Sequence, residues 1–397
     1  MKIAYVFHED AADPSIRSGA PTSLLHEFEK LGLDVERVFP LDVPQANTDF
    51  AKKVGYRLLG KFHRGDRSLD YLTSLAAQFE QRTGGKTFDF VFSPGSEVVS
   101  QLQTDLPVAF CADATFASLV DYYWDFTGLS AEYRRNGHAQ EAAALAKATL
   151  AVFPSEWAAR SAIDYYGTDR SKVAVIPMGA NLGGENERFA VRHWIDQRSP
   201  DHIRLLFVGR HWERKGGELV IATAHCLIAH GYPVIVDVVG CDLPARHRDI
   251  PWIRPHGLLH QNNPAEMERL SQLYAQAHFV FVPSRAEAYG FTFCEACAFG
   301  APPISTSTGG IPAIIHHDVN GLLLPVAAKA PDYADAIVAA FSDPARYRQM
   351  AHRAFEDFEQ RLNWRTFTRE FIRKMEERLA TVAAEPPEET PTTAPAA

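Results

Sequence analysis

Short apolar runs rich in β-branched and aromatic residues recur along this chain, spaced so that a helix fits between most of them, and the alternation happens twice. In the first half the runs cover residues 3–7, 35–41, 88–92, 107–111, 150–153 and 173–177; in the second they cover 203–208, 234–239, 279–282 and 303–305. Several have no polar alternation, as expected of parallel strands covered on both faces. The segments between them have helical spacing: residues 22–31 align Leu24, Leu25, Phe28 and Leu31 on one face and stop at Gly32. This pattern predicts two doubly wound α/β domains. A chain of 397 residues also suits two cores better than one.

Gly183-Gly184 opens a polar stretch before the run at 203. The division is therefore expected at 1–183 for a first domain, 184–200 for a linker and 201–360 for a second. Residues 361–379 read as a further helix carrying Phe367, Phe371, Ile372 and Met375, and 380–397, dominated by Ala, Pro, Glu and Thr, as a disordered tail. A net charge of −9 argues against nucleic acid as a partner. The first residues turn polar too quickly for a signal peptide, and no apolar run has the length of a membrane span. Five scattered cysteines, an odd number, suit a reducing compartment, so a cytoplasmic location is expected.

Residues 283–295, Pro-Ser-Arg-Ala-Glu-Ala-Tyr-Gly-Phe-Thr-Phe-Cys-Glu, follow the buried run at 279–282. Ligands of open α/β sheets gather at the carboxyl ends of strands. Glu287 and Glu295 are separated by seven residues across a Gly-Phe turn. Carboxylates suit sugar and ribose hydroxyls, Gly290 permits close backbone approach, and a helix N-terminus beyond it would attract phosphate. Thr292 and Glu295 also have the spacing of a capping box, which alone would account for Glu295 but not for Glu287 or Gly290. Elsewhere, Gly209-Arg210 ends the run at 203–208, Lys215-Gly216-Gly217 opens the next helix, and Ser18-Gly19-Ala20-Pro21 lies between the first strand and the first helix. Each of these has an ordinary reading too, as a solvated basic loop or as helix-entry chemistry.

Taken in order, the two glutamates with their internal Gly-Phe, then Gly300, Gly309-Gly310-Ile311-Pro312 and Asn320-Gly321-Leu322, resemble the donor site of retaining family-four (group 1) glycosyltransferases. The resemblance implies the GT-B fold: two Rossmann-like domains facing across a cleft, with a C-terminal crossover helix over 361–379 returning to the first. It implies a nucleotide-diphosphate sugar as donor, bound by the second domain, and a carbohydrate, lipid-linked or small-molecule acceptor bound by the first. Glu287 would face the donor sugar and Glu295 the ribose, with Tyr289, Gly290, Phe291 and Thr292 beside the sugar or phosphate. Arg210 and Lys215, with Gly209, would grip the diphosphate, and Gly19 would lie near phosphates and acceptor. No Asp-x-Asp string offers metal ligands, so no cofactor and no metal are expected.

The chain departs from the family where relatives carry a His at the end of the fourth strand: that place holds Asp113, read either as a site residue or as the N-cap of the next helix. Ala313 stands where relatives commonly have Glu. Cys294 and Cys297 read as core, the His316-His317 doublet as a solvated helix end, and His8 lacks a visible partner. The 122–126 aromatic cluster reads as acceptor stacking or helix packing. Lys52, Lys53, Arg57, Lys61, Arg64 and Arg67, interleaved with apolar residues, form either a solvated face or a weak peripheral contact with an anionic membrane. Competing functions are a nucleotide-sugar sensor without turnover, a sugar-nucleotide epimerase and a glycosyl phosphorylase, although no cofactor-bearing Lys is marked. Dinucleotide chemistry would need a Gly-x-Gly-x-x-Gly that does not follow the first strand.

Overall fold

The structure, a computed structural model, describes residues 1–42, 47–182 and 187–384. It holds two six-stranded parallel sheets. In the first, β1 (Lys2–Val6), β2 (Asp34–Val38), β3 (Phe90–Ser93), β4 (Val108–Cys111), β5 (Leu150–Phe153) and β6 (Val173–Val175) lie in the order β2-β1-β3-β4-β5-β6. In the second, β7 (Ile203–Val208), β8 (Val234–Val239), β9 (Ile253–Gly257), β10 (Phe279–Phe281), β11 (Pro303–Thr306) and β12 (Leu322–Leu324) lie in the order β12-β11-β10-β7-β8-β9. Each order reverses once, between β1 and β3 and between β7 and β10. At those points successive loops diverge and leave a crevice at the strands' carboxyl ends.

Two strands escape the sequence reading, and both are edges. β9 is largely solvated and contains Pro255, tolerated only where no ladder partner needs its missing N–H; β12 spans three residues. The run at 35–41 stops early, at Val38. The expected linker at 184–200 instead contains a helix, Arg188–Gln197, whose Val191 and Ile195 are buried; their four-residue spacing was masked by flanking charges. Residues 183–186 of that stretch lie outside the described residues.

The final helix, Trp364–Ala384, lies against the first half. Phe371 meets Phe28, Phe90 and Phe92 with ring centres 5.6, 6.1 and 5.2 Å apart. This helix includes 380–384, expected to begin the tail; 385–397 lie outside the described residues. The segment expected at 52–67 is not one face. Helix Asn47–Leu58 leaves Phe50, Val54, Leu58 and the following Leu59 exposed, touching the body through Tyr56, which stacks on His63, and through the Lys52–Glu132 pair. Arg67, however, is turned inward and buried. No helix among the described residues is long and apolar enough to cross a membrane.

Candidate functional site

The two crevices open into one cavity of about 980 Å³ between the sheets. Gly19 and Asp113 line it from the first half, and Gly209, Arg210, Lys215, Glu287, Tyr289, Gly290, Phe291, Thr292 and Glu295 from the second, so every residue singled out in the sequence reaches this space. They arrive on loops leaving β1, β4, β7 and β10.

The loop after β10 is built around Gly290, at φ 108°, where an added Cβ would sit 2.6 Å from the Phe293 ring. Helix Phe291–Ala298 starts directly behind it with no side-chain cap, leaving its first amides available to the cavity. The capping box expected from Thr292 and Glu295 does not form: the helix begins earlier, so both residues lie inside it. Glu295 is instead a buried carboxyl that accepts from the Tyr274 hydroxyl at 2.7 Å. Burial pushes it up to about 7 against the pull of that hydrogen bond.

Glu287 accepts a hydrogen bond from Lys215 Nζ and one from Ser284 Oγ at 3.3 Å, and Arg214 stands 3.5 Å away. Burial alone would raise this carboxyl, but Lys215 and Arg214 outweigh it and hold it below the ordinary value. Arg210 is exposed to the cavity and makes no hydrogen bond or ion pair among the described residues. One wall therefore offers an ionised carboxylate with its cations, an unoccupied guanidinium and a helix N-terminus, a combination suited to a phosphate ester with hydroxyls beside it.

Of the aromatic residues of 122–126, Phe126 packs on Phe116 with ring centres 5.9 Å apart, as helix packing predicts, while the two tyrosines reach the second half. Tyr122 Oη accepts the backbone N–H of Glu287 at 2.9 Å and lies 2.9 Å from Thr308 Oγ1; Tyr123 Oη accepts the N–H of Ala288 at 2.7 Å. Beneath the same loop, Cβ atoms on Gly309 and Gly310 would fall 2.0 Å from the carbonyl oxygens of Glu287 and Ala288 respectively. Those two glycines thus serve the close packing of the Glu287 loop. Tyr289 lines the cavity, but its side chain is core, with its hydroxyl donating to Met178 O at 2.7 Å, so that hydroxyl is not free for a ligand.

On the first-half wall, Gly19 (φ 89°) follows Arg17 and Ser18, which share its left-handed backbone at φ 44° and 59°. Asp113 is not an N-cap. That task falls to Thr115, in a capping box with Ser118, and the Asp113 carboxyl faces the cavity. It is open to the cleft yet enclosed by both halves; loss of bulk water raises it, Arg17 opposes and Glu287 adds to the rise. A carboxyl shifted this way can donate a hydrogen bond when protonated, as an ordinary Asp does not.

Some lining residues were not marked as site residues in the sequence, Arg67 having been read only as part of a basic segment. Arg214 could have been found beside Lys215; Arg17, Arg67 and Glu97 lie on separate loops without a motif, and only the fold unites them. Cys294 and Cys297 are buried and unpaired, as core residues. Among the described residues no group of three or more His, Cys, Asp or Glu is placed to hold a metal ion.

Residues 192–357 match the family described as glycosyl transferases group 1. A D-inositol 3-phosphate glycosyltransferase from Nocardia farcinica is 30% identical over 221 residues, covering 53% of this chain and 49% of the relative; the chain spans about half the length of the curated relatives it matches. Among solved structures, sucrose-phosphate synthase from Thermosynechococcus elongatus superposes with a TM-score of 0.68 at 18% identity over 96% of this chain and 99% of that one. The Anabaena HepE protein, crystallised with UDP and glucose, gives 0.61 at 18% identity over 95% and 99%. The paired parallel sheets are those of the GT-B fold.

Proposed function

We propose that this chain, a group 1 glycosyl transferase through residues 192–357, moves a sugar from a nucleoside diphosphate sugar to an acceptor hydroxyl, with retained configuration and without a metal. The observation that carries this reading is the coincidence, at the β7/β10 crevice, of Arg210, the Lys215–Glu287 pair and the uncapped helix behind Gly290. Arg210, Lys215 and the helix amides would receive the diphosphate, Glu287 the sugar hydroxyls and Glu295 the ribose. The HepE complex with UDP and glucose makes a uridine nucleotide sugar the first donor to test.

In the transfer, the bond between the anomeric carbon and the diphosphate oxygen breaks with its electron pair leaving on that oxygen. The acceptor oxygen bonds to the carbon on the same face, and its proton passes to the departing diphosphate. Charge grows on the diphosphate in the transition state, so fixed cations there lower the barrier more than they tighten ground-state binding. These cations also take the part a metal ion plays in other transferases. Asp113, facing the same space, would donate to the donor sugar when protonated.

The exposed Phe50, Val54, Leu58 and Leu59 beside Lys53, Arg57 and Lys61 support a second, peripheral element: weak contact of helix Asn47–Leu58 with an anionic membrane surface. Sedimentation with anionic and with neutral vesicles tests it. The main reading is tested by nucleotide release from UDP-, GDP- and ADP-sugars, with and without EDTA. Strict dependence on added metal sinks the proposed mechanism, and binding without turnover across many acceptors points to a sensor.

A further inference from the structure

The cleft's first-half wall carries two arginines, and both are already matched by carboxylates. Arg17 Nη2 donates to Glu97 Oε1 at 3.1 Å, its Nε lies 3.5 Å from Glu9, and its Nη1 donates to Pro94 O at 3.0 Å. Arg67 Nη2 lies 3.8 Å from the same Glu97 oxygen, its Nη1 donates to Gln140, and its guanidinium lies 4.8 Å from the Phe116 ring centre. Among the described residues, no other Lys or Arg of the first half lines the cavity. Glu97 thus stands between the two guanidiniums in the place an incoming anion would need. Burial would raise its carboxyl, but Arg17 and Arg67 hold it well below the usual range, so it stays ionised.

Two further carboxyls line this wall, among Ser, Thr and Asn side chains that can both donate and accept. Glu141 is buried, takes one hydrogen bond from Ser96 at 3.0 Å, and leaves Oε1 without a partner; Asp113 faces the same space. Hydroxyl groups are the donors such oxygens lack. A phosphate monoester would meet the ionised Glu97 with, among the described residues, no unmatched Lys or Arg on its side of the cleft. The unmatched guanidinium, Arg210, is on the donor wall.

We propose that Glu97, by occupying the space between Arg17 and Arg67, makes the acceptor subsite select an uncharged polyol over its phosphate monoester. This rests on the glycosyl-transfer reading and adds the acceptor class to it. Glu97 acts through the arginines as a specificity-determining residue.

The experiment measures acceptor-stimulated nucleotide release with one donor and three pairs: myo-inositol, glucose and fructose, each against its monophosphate. Full-length wild type should favour the uncharged member of an accepted pair at least tenfold in kcat/KM. Glu97→Gln, which removes the negative charge the two guanidiniums share, should move that ratio at least tenfold toward the monoester; comparing two acceptors within one variant cancels any general loss of rate. Preference for the monoester in wild type, or failure of every uncharged polyol to stimulate release, overturns the proposal. A wild-type preference that Glu97→Gln leaves unmoved overturns the role of Glu97, and if that variant does not fold, the wild-type ratio still decides the acceptor class. Should no nucleotide sugar bind or be hydrolysed, the transferase reading falls first, and that outcome is distinguished by donor hydrolysis measured without acceptor.

Discussion

The Tyr123 hydroxyl, carried by the first half of the chain, accepts the backbone N–H of Ala288 in the second half at 2.7 Å. With Tyr122 on the neighbouring N–H of Glu287, it ties the first domain to the loop that holds Glu287. The first half of the chain and the backbone of the Glu287 loop are therefore held directly to each other in this arrangement.

Removing these hydroxyls should cost activity more than fold. A buried N–H left without its partner costs about 1–3 kcal/mol. Tyr122→Phe and Tyr123→Phe are each expected to lower kcat/KM by roughly tenfold, with a small drop in melting temperature. Steady-state kinetics together with thermal denaturation check this; full activity in the double variant would rule out the coupling.

Lys215→Ala and Glu287→Ala should abolish turnover with the fold kept. Loss of one preorganised electrostatic group in an active site typically costs about 10²–10³ in kcat. Wild-type rates in both variants, with unchanged circular dichroism, would remove the assignment of the donor site.

Asp113 can be distinguished as donor or acceptor by two substitutions. If its protonated carboxyl donates to a sugar hydroxyl, Asp113→Asn, which retains an N–H donor, should keep several-fold more activity than Asp113→Ala. Equal losses would assign it no such role.

Two buried carboxyls should contribute less to stability as pH rises from 4.5 to 7, against buried histidines such as His278, lowered by burial to about 3, whose contribution rises over the same range. The Glu295 and Glu141 carboxyls are raised by burial from 4.5 to about 7, so the folded chain keeps protons that the unfolded chain has released. The contribution is full below the unfolded value of 4.5 and is lost as pH rises through about 7, on the order of a few kcal/mol for each. Glu295→Gln should remove its share of this loss, as read from denaturant midpoints at several pH values. Binding of a nucleoside diphosphate, if the ribose needs the ionised carboxylate, should tighten over the same rise in wild type only.

Much of this was legible in the amino-acid order. The parallel sheets follow from apolar runs without alternation, since a strand covered on both faces needs no polar side, and the donor wall follows from residues close together in sequence. Gly209 to Lys215 sit on a single loop leaving a buried strand, and Glu287 to Glu295 on one such loop and the helix it opens, so strand, loop and helix start together determine their place. Tertiary structure alone decided what joins distant loops. Glu97 between Arg17 and Arg67, the tyrosine hydroxyls on the Glu287 loop, and the upward shift of the Asp113 and Glu295 carboxyls depend on which surfaces meet and how much water they exclude. Local spacing suggested a cap for Glu295 and for Asp113 alike. Both helices begin elsewhere, because a left-handed Gly290 and the Thr115–Ser118 pair start them, and each carboxyl is left to the cavity.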